Sequence, residues 1–337
     1  MSALLEVRDL ATEFPGKQEP TRVVDGVSLD LDRGEVLALV GESGSGKSMT
    51  ALSLLRLVPK PGRVSAGQVK LDGQDLLGLS VTEMRRIRGG RISMIFQEPT
   101  TCLNPVVRVG VQVMEAIALH ETVTPADARA RTRELFAEVG IPDPDARLDA
   151  YPHELSGGLK QRVMIAMALS TRPEILIADE PTTALDVTVQ AQILSLLRAL
   201  QRDRNTAILL ITHDLGIVNE LADRVAVMYA GRLVEVAARR DLLADPLHPY
   251  TKGLLRSIPA RSQAGERLPE IPGVVPPPDQ WPRGCRFSTR CAERFEPCAE
   301  IFPQEIRPGV GRRVWCHEVE RSRTAVGNEG DREGETS

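Results

Sequence analysis

Aromatic residues are scarce: Phe, Trp and Tyr together make up 3% of this 337-residue chain. A core with so few rings must rest on Leu, Val, Ile, Ala and Met. Long apolar runs are also missing. None approaches the ~20 residues that a membrane-spanning helix requires, so any connection to a membrane must come through a partner. Residues Met1 to Arg8 lack a basic segment followed by an apolar one, so no secretory signal is expected and the setting reads as cytosolic. There is no basic excess either. A net charge of −4 gives no reason to expect a nucleic-acid partner, which would favour a basic surface. Cysteines number five; Cys102 stands alone and the others fall late in the chain. In a reducing compartment such a late group favours metal binding over disulfides. No internal repeat is evident.

What the chain does have is a complete phosphate loop, Gly41-Glu42-Ser43-Gly44-Ser45-Gly46-Lys47-Ser48, matching G-x-x-x-x-G-K-[ST]. It follows the apolar run Glu35 to Val40 and precedes Ser48 to Val58, which reads as a helix. The glycines let backbone N–H groups approach phosphate oxygens where a Cβ would obstruct them. The helix start adds unpaired donors and the positive end of its dipole. Lys47 is placed to reach the β- and γ-phosphates, and the Ser48 hydroxyl to ligate Mg²⁺. The alternative, a chance Gly/Ser turn with a surface lysine, does not account for the flanking strand and helix.

Leu5 to Phe14 and Val23 to Leu31 read as two short strands, joined through Gly16 to Pro20. Val69 to Gln74 reads as strand and turn, and Arg91 to Phe96 as a strand ending at Gln97-Glu98-Pro99. Val109 to about Gly140 is helical in pattern and interrupts a chain that otherwise alternates β and α, so an inserted helical subdomain is expected at about 105–170. A helix over Lys160 to Leu169, with Val163, Met164, Met167 and Ala168 inward, leads to Ile175-Leu176-Ile177-Ala178. That run is uniformly apolar, as in a parallel strand covered on both faces. Val187 to Leu200 reads as helix, Ala207 to Ile211 as strand, and Val225 to Tyr229 with Arg232 to Val236 as a last pair of strands. The alternation predicts an α/β fold with a mostly parallel sheet and an antiparallel β part at the N-terminus. Beyond about Asp245, prolines from Pro246 to Pro278 argue against long regular elements. The expected partition is 1–245, an extension over 246–320, and a polar tail over 321–337 that reads as disordered.

Active residues of parallel sheets gather at the strands' carboxyl ends. Three predicted strands end in Gln97, Asp179-Glu180 and His213. Asp179 is placed to reach Mg²⁺ through water. Glu180 is placed to orient an attacking water and take its proton. His213 could bond the γ-phosphate or the water, and Gln97 could sense the metal or the water. Any of these alone is more often a strand-end polar residue without chemistry; beside a phosphate loop the set is not.

With these residues assembled, the chain resembles the ATP-binding subunits of ABC transporters. The phosphate loop, Gln97, Leu155-Ser156-Gly157-Gly158, Ile175 to Glu180, Ala184-Leu185-Asp186 and His213 occur in that family's order over roughly residues 5 to 240. The resemblance implies a P-loop NTPase fold and two such subunits facing head to tail. Each ATP would lie between one subunit's phosphate loop and the other's Ser156, Gly157 and Gly158, with Asp186 in the adjoining loop and Phe14 stacking on adenine. Leu159 departs from the Gln that many relatives carry. Phe96 to Pro105, Tyr151-Pro152-His153-Glu154 and His248-Pro249-Tyr250-Thr251 narrow the likeness to the dipeptide/oligopeptide importer branch, some of whose members carry nickel or haem. The partners so implied are a second ATPase subunit, two transmembrane permease subunits and, indirectly, an extracytoplasmic solute-binding protein. The implied location is the cytoplasmic face of the membrane. A soluble ABC-type ATPase acting on DNA or ribosomes is the rival reading. It is disfavoured by the single phosphate loop, the acidic balance and the absence of a heptad run over the 115 residues from Gly41 to Ser156. An exporter subunit is disfavoured by the importer motifs.

Cys285, Cys291, Cys298 and Cys316 lack the close first pair usual in structural zinc sites. Wide, loop-borne spacing suits an iron–sulfur cluster about as well, and the resemblance to the peptide-importer branch, some of whose members hold a [4Fe–4S] cluster on similarly placed cysteines, implies one here. Zinc, or cysteines that are unliganded or paired in disulfides, are the alternatives. A cluster here would staple a proline-rich segment with little core of its own.

Overall fold

The computed structural model describes residues 3–16, 19–183, 185–257 and 270–323. Two sheets carry it. The smaller is antiparallel, with β1 (Leu5–Phe14) between β2 (Thr21–Leu31) and β4 (Arg63–Leu71), and β5 (Gln74–Asp75) at the edge. The larger runs, edge to edge, β11 (Ile306–Gly309), β12 (Arg312–Val314), β10 (Arg232–Ala238), β9 (Arg224–Tyr229), β3 (Val36–Val40), β8 (Ala207–Thr212), β7 (Ile175–Asp179) and β6 (Ile92–Ile95). Its centre is β3, β8 and β7, flanked by β6 and β9. These five strands are mutually parallel. Every residue of β3, β7 and β8 is buried, as expected when both faces of a sheet are covered.

Between the sheets lies a core that includes Leu10, Leu29, Leu39, Leu54, Leu209 and Ile211. On the opposite face a second core joins Ile95, Leu176 and Leu210 to a group of helices. These are α4 (Val109–Ala118), α5 (Pro125–Glu138), α6 (Pro144–Leu148) and α7 (Gly157–Leu169), with the short α3 (Pro99–Cys102) leading in. α7 packs on β6, so the helical group hangs from one edge of the sheet. α1 (Lys47–Leu54), α8 (Val187–Arg204) and α9 (Leu215–Leu221) connect the parallel strands.

Several boundaries differ from the sequence expectation. α1 stops at Leu54, because Arg56 takes a left-handed φ of 52°. α7 begins at Gly157 rather than Lys160, since the Ser156 hydroxyl caps it by accepting the Leu159 N–H at 3.3 Å. Met167 lies at the rim of that helix's packed side, half-buried. α9 and α2 (Val81–Ile87) were not anticipated; α2 starts in a capping box between Ser80 and Glu83.

Among the described residues the segment after Asp245 holds only short regular elements, as its prolines lead one to expect, but they are placed to extend the fold. β10 (Arg232–Ala238) leads through α10 (Arg239–Ala244) to α11 (Pro249–Arg256), and later β11 (Ile306–Gly309) and β12 (Arg312–Val314) form a hairpin. β12 pairs with β10, Glu235 opposite Val314, so the extension continues the main sheet. It packs on the preceding part of the chain through a shared apolar cluster. Tyr229, Tyr250 and Phe287 meet edge-on or tilted with centroids 4.7 to 5.3 Å apart, joined by Leu242 and Leu255. The polar tail expected at 321–337 lies outside the described residues from 324 onward; 321–323 are helical.

Truncating the ring that fastens the extension, Phe287→Ala, is expected to cost about 3–5 kcal/mol. The check is the urea unfolding midpoint of the full chain; an unshifted midpoint would mean that the extension contributes nothing to the core.

Candidate functional site

The site is built by strand register. Val40 of β3 lies level with Thr212 of β8, Ile211 of β8 with Asp179 of β7, and Ala178 of β7 with Ile95 of β6. The residues that follow these positions are therefore delivered to one rim: the phosphate loop after β3, His213 after β8, Glu180 after β7 and Gln97 after β6.

The loop is sterically committed. A Cβ on Gly41 would sit 2.2 Å from the Met228 carbonyl oxygen, and Gly46 has φ 101° as the residue before α1. Gly231 N–H donates to the Ser45 carbonyl at 2.8 Å, tying the loop to the β9–β10 turn. Ser43 and Gly44 are exposed, while Ser45 is fully buried. Lys47, only 6% exposed, donates from Nζ to the Gly41 and Glu42 carbonyls at 2.8 and 3.0 Å. Burial pulls its pKa below the ordinary lysine value, and the charges of Glu180, Asp179 and Glu42 oppose that pull.

Across β8, the Ser48 hydroxyl donates to Asp179 Oδ1 at 3.1 Å. A hydroxyl and a carboxylate in contact are the hard oxygen donors that suit Mg²⁺. Burial lifts Asp179 above the usual carboxylate range, the Ser48 bond working against it and the Glu180 charge with it. Gln97 is not with this pair. Its Nε2 donates to Glu180 Oε2 at 3.2 Å. The Thr183 hydroxyl donates to the same oxygen at 2.8 Å, and His213 Nδ1 lies 3.1 Å from Oε1. Burial would also raise Glu180, but the bonds from Thr183 and His213 and the Lys47 charge outweigh it, and the carboxyl lies below the usual range. Neighbouring carboxylates pushed in opposite directions can do different work: Glu180 stays ionised. Its backbone has φ 46°, rare for a residue with a side chain, and is pinned by its N–H donating to the Ile211 carbonyl at 2.9 Å.

The other predicted residues lie elsewhere. Ser156 and Gly157 are exposed at the start of α7, with open space where a Gly157 Cβ would be. α7 packs on β6, three strand positions from β3, a lateral offset of about 14 Å at 4.8 Å per strand. Gly158 lies against Val189 of α8. Asp186 caps α8 by accepting the Val189 N–H at 2.9 Å. Phe14 ends β1 on the other sheet, its half-buried ring close against Gly62.

Comparison with known proteins now gives the chain a place. Residues 24–183 match the family model described as ABC transporter, and residues 234–298 the one described as oligopeptide/dipeptide transporter, C-terminal region. The chain is 49% identical over 315 residues to the dipeptide transport ATP-binding protein DppD of Haemophilus influenzae, covering 94% of this chain and 95% of that protein. It is 50% identical over 317 residues to the oligopeptide transport ATP-binding protein AppD of Bacillus subtilis, covering 94% and 97%. The chain belongs to the ABC transporter ATP-binding family. Among solved structures it is similar to the dimeric post-hydrolysis state of the ATP-binding cassette MJ0796 bound to ADP and Pi, with TM-score 0.64, 25% identity, and coverage of 70% of this chain and 99% of that one. It is also similar to cbiO1 from Clostridium perfringens, part of the cbiONQ transporter complex, with TM-score 0.62, 28% identity and coverage of 73% and 92%. The subunit is thus an ATPase coupled to transport, for which ATP and Mg²⁺ are the expected ligands. Among the described residues no helix is long and apolar enough to cross a membrane.

Cys285, Cys291, Cys298 and Cys316 all line one cavity of about 20 Å³, and none is in a disulfide. Burial pushes the Cys285 thiol up to about 12 and Cys291 to about 11. Among the described residues no group of three or more Cys, His, Asp or Glu is arranged to hold a metal ion, and the cavity has room for about one water-sized atom. The iron–sulfur expectation is therefore not supported by this geometry. His248, which also lines the cavity, is buried with its Nε2 unpartnered. Cys102 is exposed, away from this group in α3.

Sequence reading missed Thr183, which lies three residues beyond Glu180 and has no motif of its own. Replacing it, Thr183→Ala, removes a bond that favours the ionised carboxylate, so the Glu180 pKa should rise toward the ordinary 4.5 or above it. Titration of ¹³C-labelled glutamate carboxyls in the full chain reads this directly, and an unmoved Glu180 would remove Thr183 from the account.

Proposed function

We propose that this chain hydrolyses ATP to power import of di- or oligopeptides through an ABC transporter. The match of residues 234–298 to the oligopeptide/dipeptide transporter C-terminal region carries the substrate class, together with the printed functions of the DppD and AppD relatives. The same extension favours this reading over a soluble ATPase acting on nucleic acid.

In this reading the phosphate loop and Lys47 hold the phosphates of ATP, and Phe14 stacks on the adenine. Ser48 and Asp179 hold Mg²⁺, which when bound offsets phosphate charge; Gln97, bonded to Glu180 in this structure, completes the metal's ligands only by turning from that carboxylate. Glu180 orients a water and accepts its proton as the water oxygen attacks the γ-phosphorus and ADP leaves. A carboxylate with a depressed pKa is a weak base, which suffices where the transferring phosphoryl group is loosely bonded and positioning does most of the work. His213 and Gln97 fix that carboxylate and bond the water or γ-phosphate.

Ser156, Gly157 and Gly158 serve the ATP of a second ATPase subunit. Among the described residues no hydrogen bond joins Ser156 to Gly158 to the phosphate loop, which is consistent with this, and the dimeric state of the MJ0796 cassette supports it. Asp186 adjoins that interface. The helical group, at about 105–170 and entered from Gln97, contacts two permease subunits, which hold the chain at the cytoplasmic face of the membrane and receive solute from an extracytoplasmic binding protein. Residues 1–245 form the nucleotide-binding part, 246–320 the extension.

For the four cysteines we propose an iron–sulfur cluster. That all four line one cavity carries this proposal; as they stand they form no metal-holding group among the described residues, so a cluster requires the thiols to move apart.

Glu180→Gln should keep ATP binding and nearly abolish hydrolysis in the assembled transporter, whereas Lys47→Ala should weaken nucleotide binding itself. Wild-type turnover in the first, or wild-type affinity in the second, would overturn the respective role. Anaerobically purified protein should contain iron and acid-labile sulfide; colourless protein with neither would end the cluster proposal.

A further inference from the structure

The extension returns to the phosphate loop at a point that none of these roles uses. Glu42, second residue of the loop, is gripped by two residues from beyond position 245. Arg290 Nη1 donates to both Glu42 carboxylate oxygens, at 3.1 and 3.0 Å. The Glu42 N–H donates to the Tyr250 hydroxyl at 2.9 Å. Arg290 is itself held on every side. Its Nε donates to the Pro272 carbonyl at 2.7 Å, Nη2 to Gly273 at 3.1 Å and Ile271 at 3.3 Å, and its guanidinium lies 5.8 Å from the Tyr229 ring centroid. The Arg290 side chain is 5% exposed and that of Glu42 30%, so water screens the pair weakly.

A carboxylate on an anion-binding loop opposes the polyphosphate it is meant to admit. A buried guanidinium against it cancels that repulsion, and the cancellation acts at a range over which charges are felt inside a protein. We propose that Arg290 and Tyr250 are positioning residues of the nucleotide site: they neutralise and fix Glu42, so that the C-terminal extension sets the affinity of the phosphate loop. The inference rests on Gly41 to Ser48 being the nucleotide site.

A merely structural staple and a charge-neutralising clamp make opposite predictions. If the clamp tunes the site, Arg290→Ala leaves Glu42 unpaired and weakens ATP and ADP binding by roughly three- to thirtyfold. Arg290→Lys, which keeps the charge without the planar fork, recovers part of that loss. Glu42→Gln leaves the arginine's charge uncompensated beside the loop, and binding tightens. The double variant Glu42→Gln with Arg290→Met returns close to wild type, because neither charge is left. If Arg290 only fastens the extension, all variants lower the melting temperature and the affinity of the folded protein does not change.

Calorimetric titration of the purified full chain with ATP and with ADP, alongside its melting temperature, separates these. Should Arg290→Ala fail to fold, Glu42→Gln alone decides: unchanged or weaker binding overturns the proposal. Lys47→Ala is the control. If it leaves affinity intact, the site itself is misassigned. If it abolishes binding while the Arg290 and Glu42 variants bind like wild type, only the clamp falls.

Discussion

Ser48 and Asp179 touch across an intervening strand, and that contact depends on β3, β8 and β7 ending level. Parallel neighbours lie about 4.8 Å apart, so a one-residue slip of β7 would move Asp179 away from the loop and turn its side chain to the other face. What prevents the slip is the uniform burial of all three strands. With apolar side chains packed on both faces, any other register would expose part of one core while crowding the other. The precision of the polar rim is a consequence of apolar packing well below it.

The same strands carry the strain. A left-handed backbone at a non-glycine residue costs on the order of 1–3 kcal/mol. At Glu180 it is held by a hydrogen bond to Ile211, the buried penultimate residue of β8. The turn of chain so produced places Glu180 where Gln97, Thr183 and His213 converge on its two oxygens, while Asp179, one residue earlier, faces Ser48. Adjacent carboxylates in an extended strand would alternate sides. Here the strained peptide lets both serve one rim, with one carboxyl raised by burial and the other held ionised by donors.

Much of this was legible from residues alone, for a physical reason. The strands are uninterrupted apolar runs such as Ile175 to Ala178, and each ends abruptly in a charged or amide residue, so both strand and site are written in adjacent letters. The same holds for the phosphate loop, whose glycines answer to local sterics at Gly41 and Gly46. Contacts made across long chain separations carry no such signature. Arg290 meets Glu42 over 248 residues, and nothing around either suggests the other. The hairpin β11–β12 was hidden because its strands are short and its partner β10 already looked like the end of a sheet. The prolines of that region exclude long elements but not short ones, since Pro249 sits at the first turn of α11, where its missing N–H has no cost.

That extension also accounts for where the few aromatic residues went. Leu, Val and Ile fill the spaces between flat sheets and helices, but the junction between β9, α11 and the 285–291 segment is irregular, and Tyr229, Tyr250 and Phe287 fill it. A tyrosine there has a second use, because its hydroxyl reaches past the apolar junction to a polar partner. Tyr250 delivers an acceptor to the backbone of Glu42 from a fully buried ring. Arg286 works beside it, bonded to Asp25 and the Ala230 carbonyl and stacked on Trp281. Both arginines stand inside the interval bounded by Cys285 and Cys291. The segment that displays the cysteines to their cavity therefore also fixes two guanidiniums, one on Glu42 of the phosphate loop and one on the Ala230 carbonyl of the turn that holds Ser45.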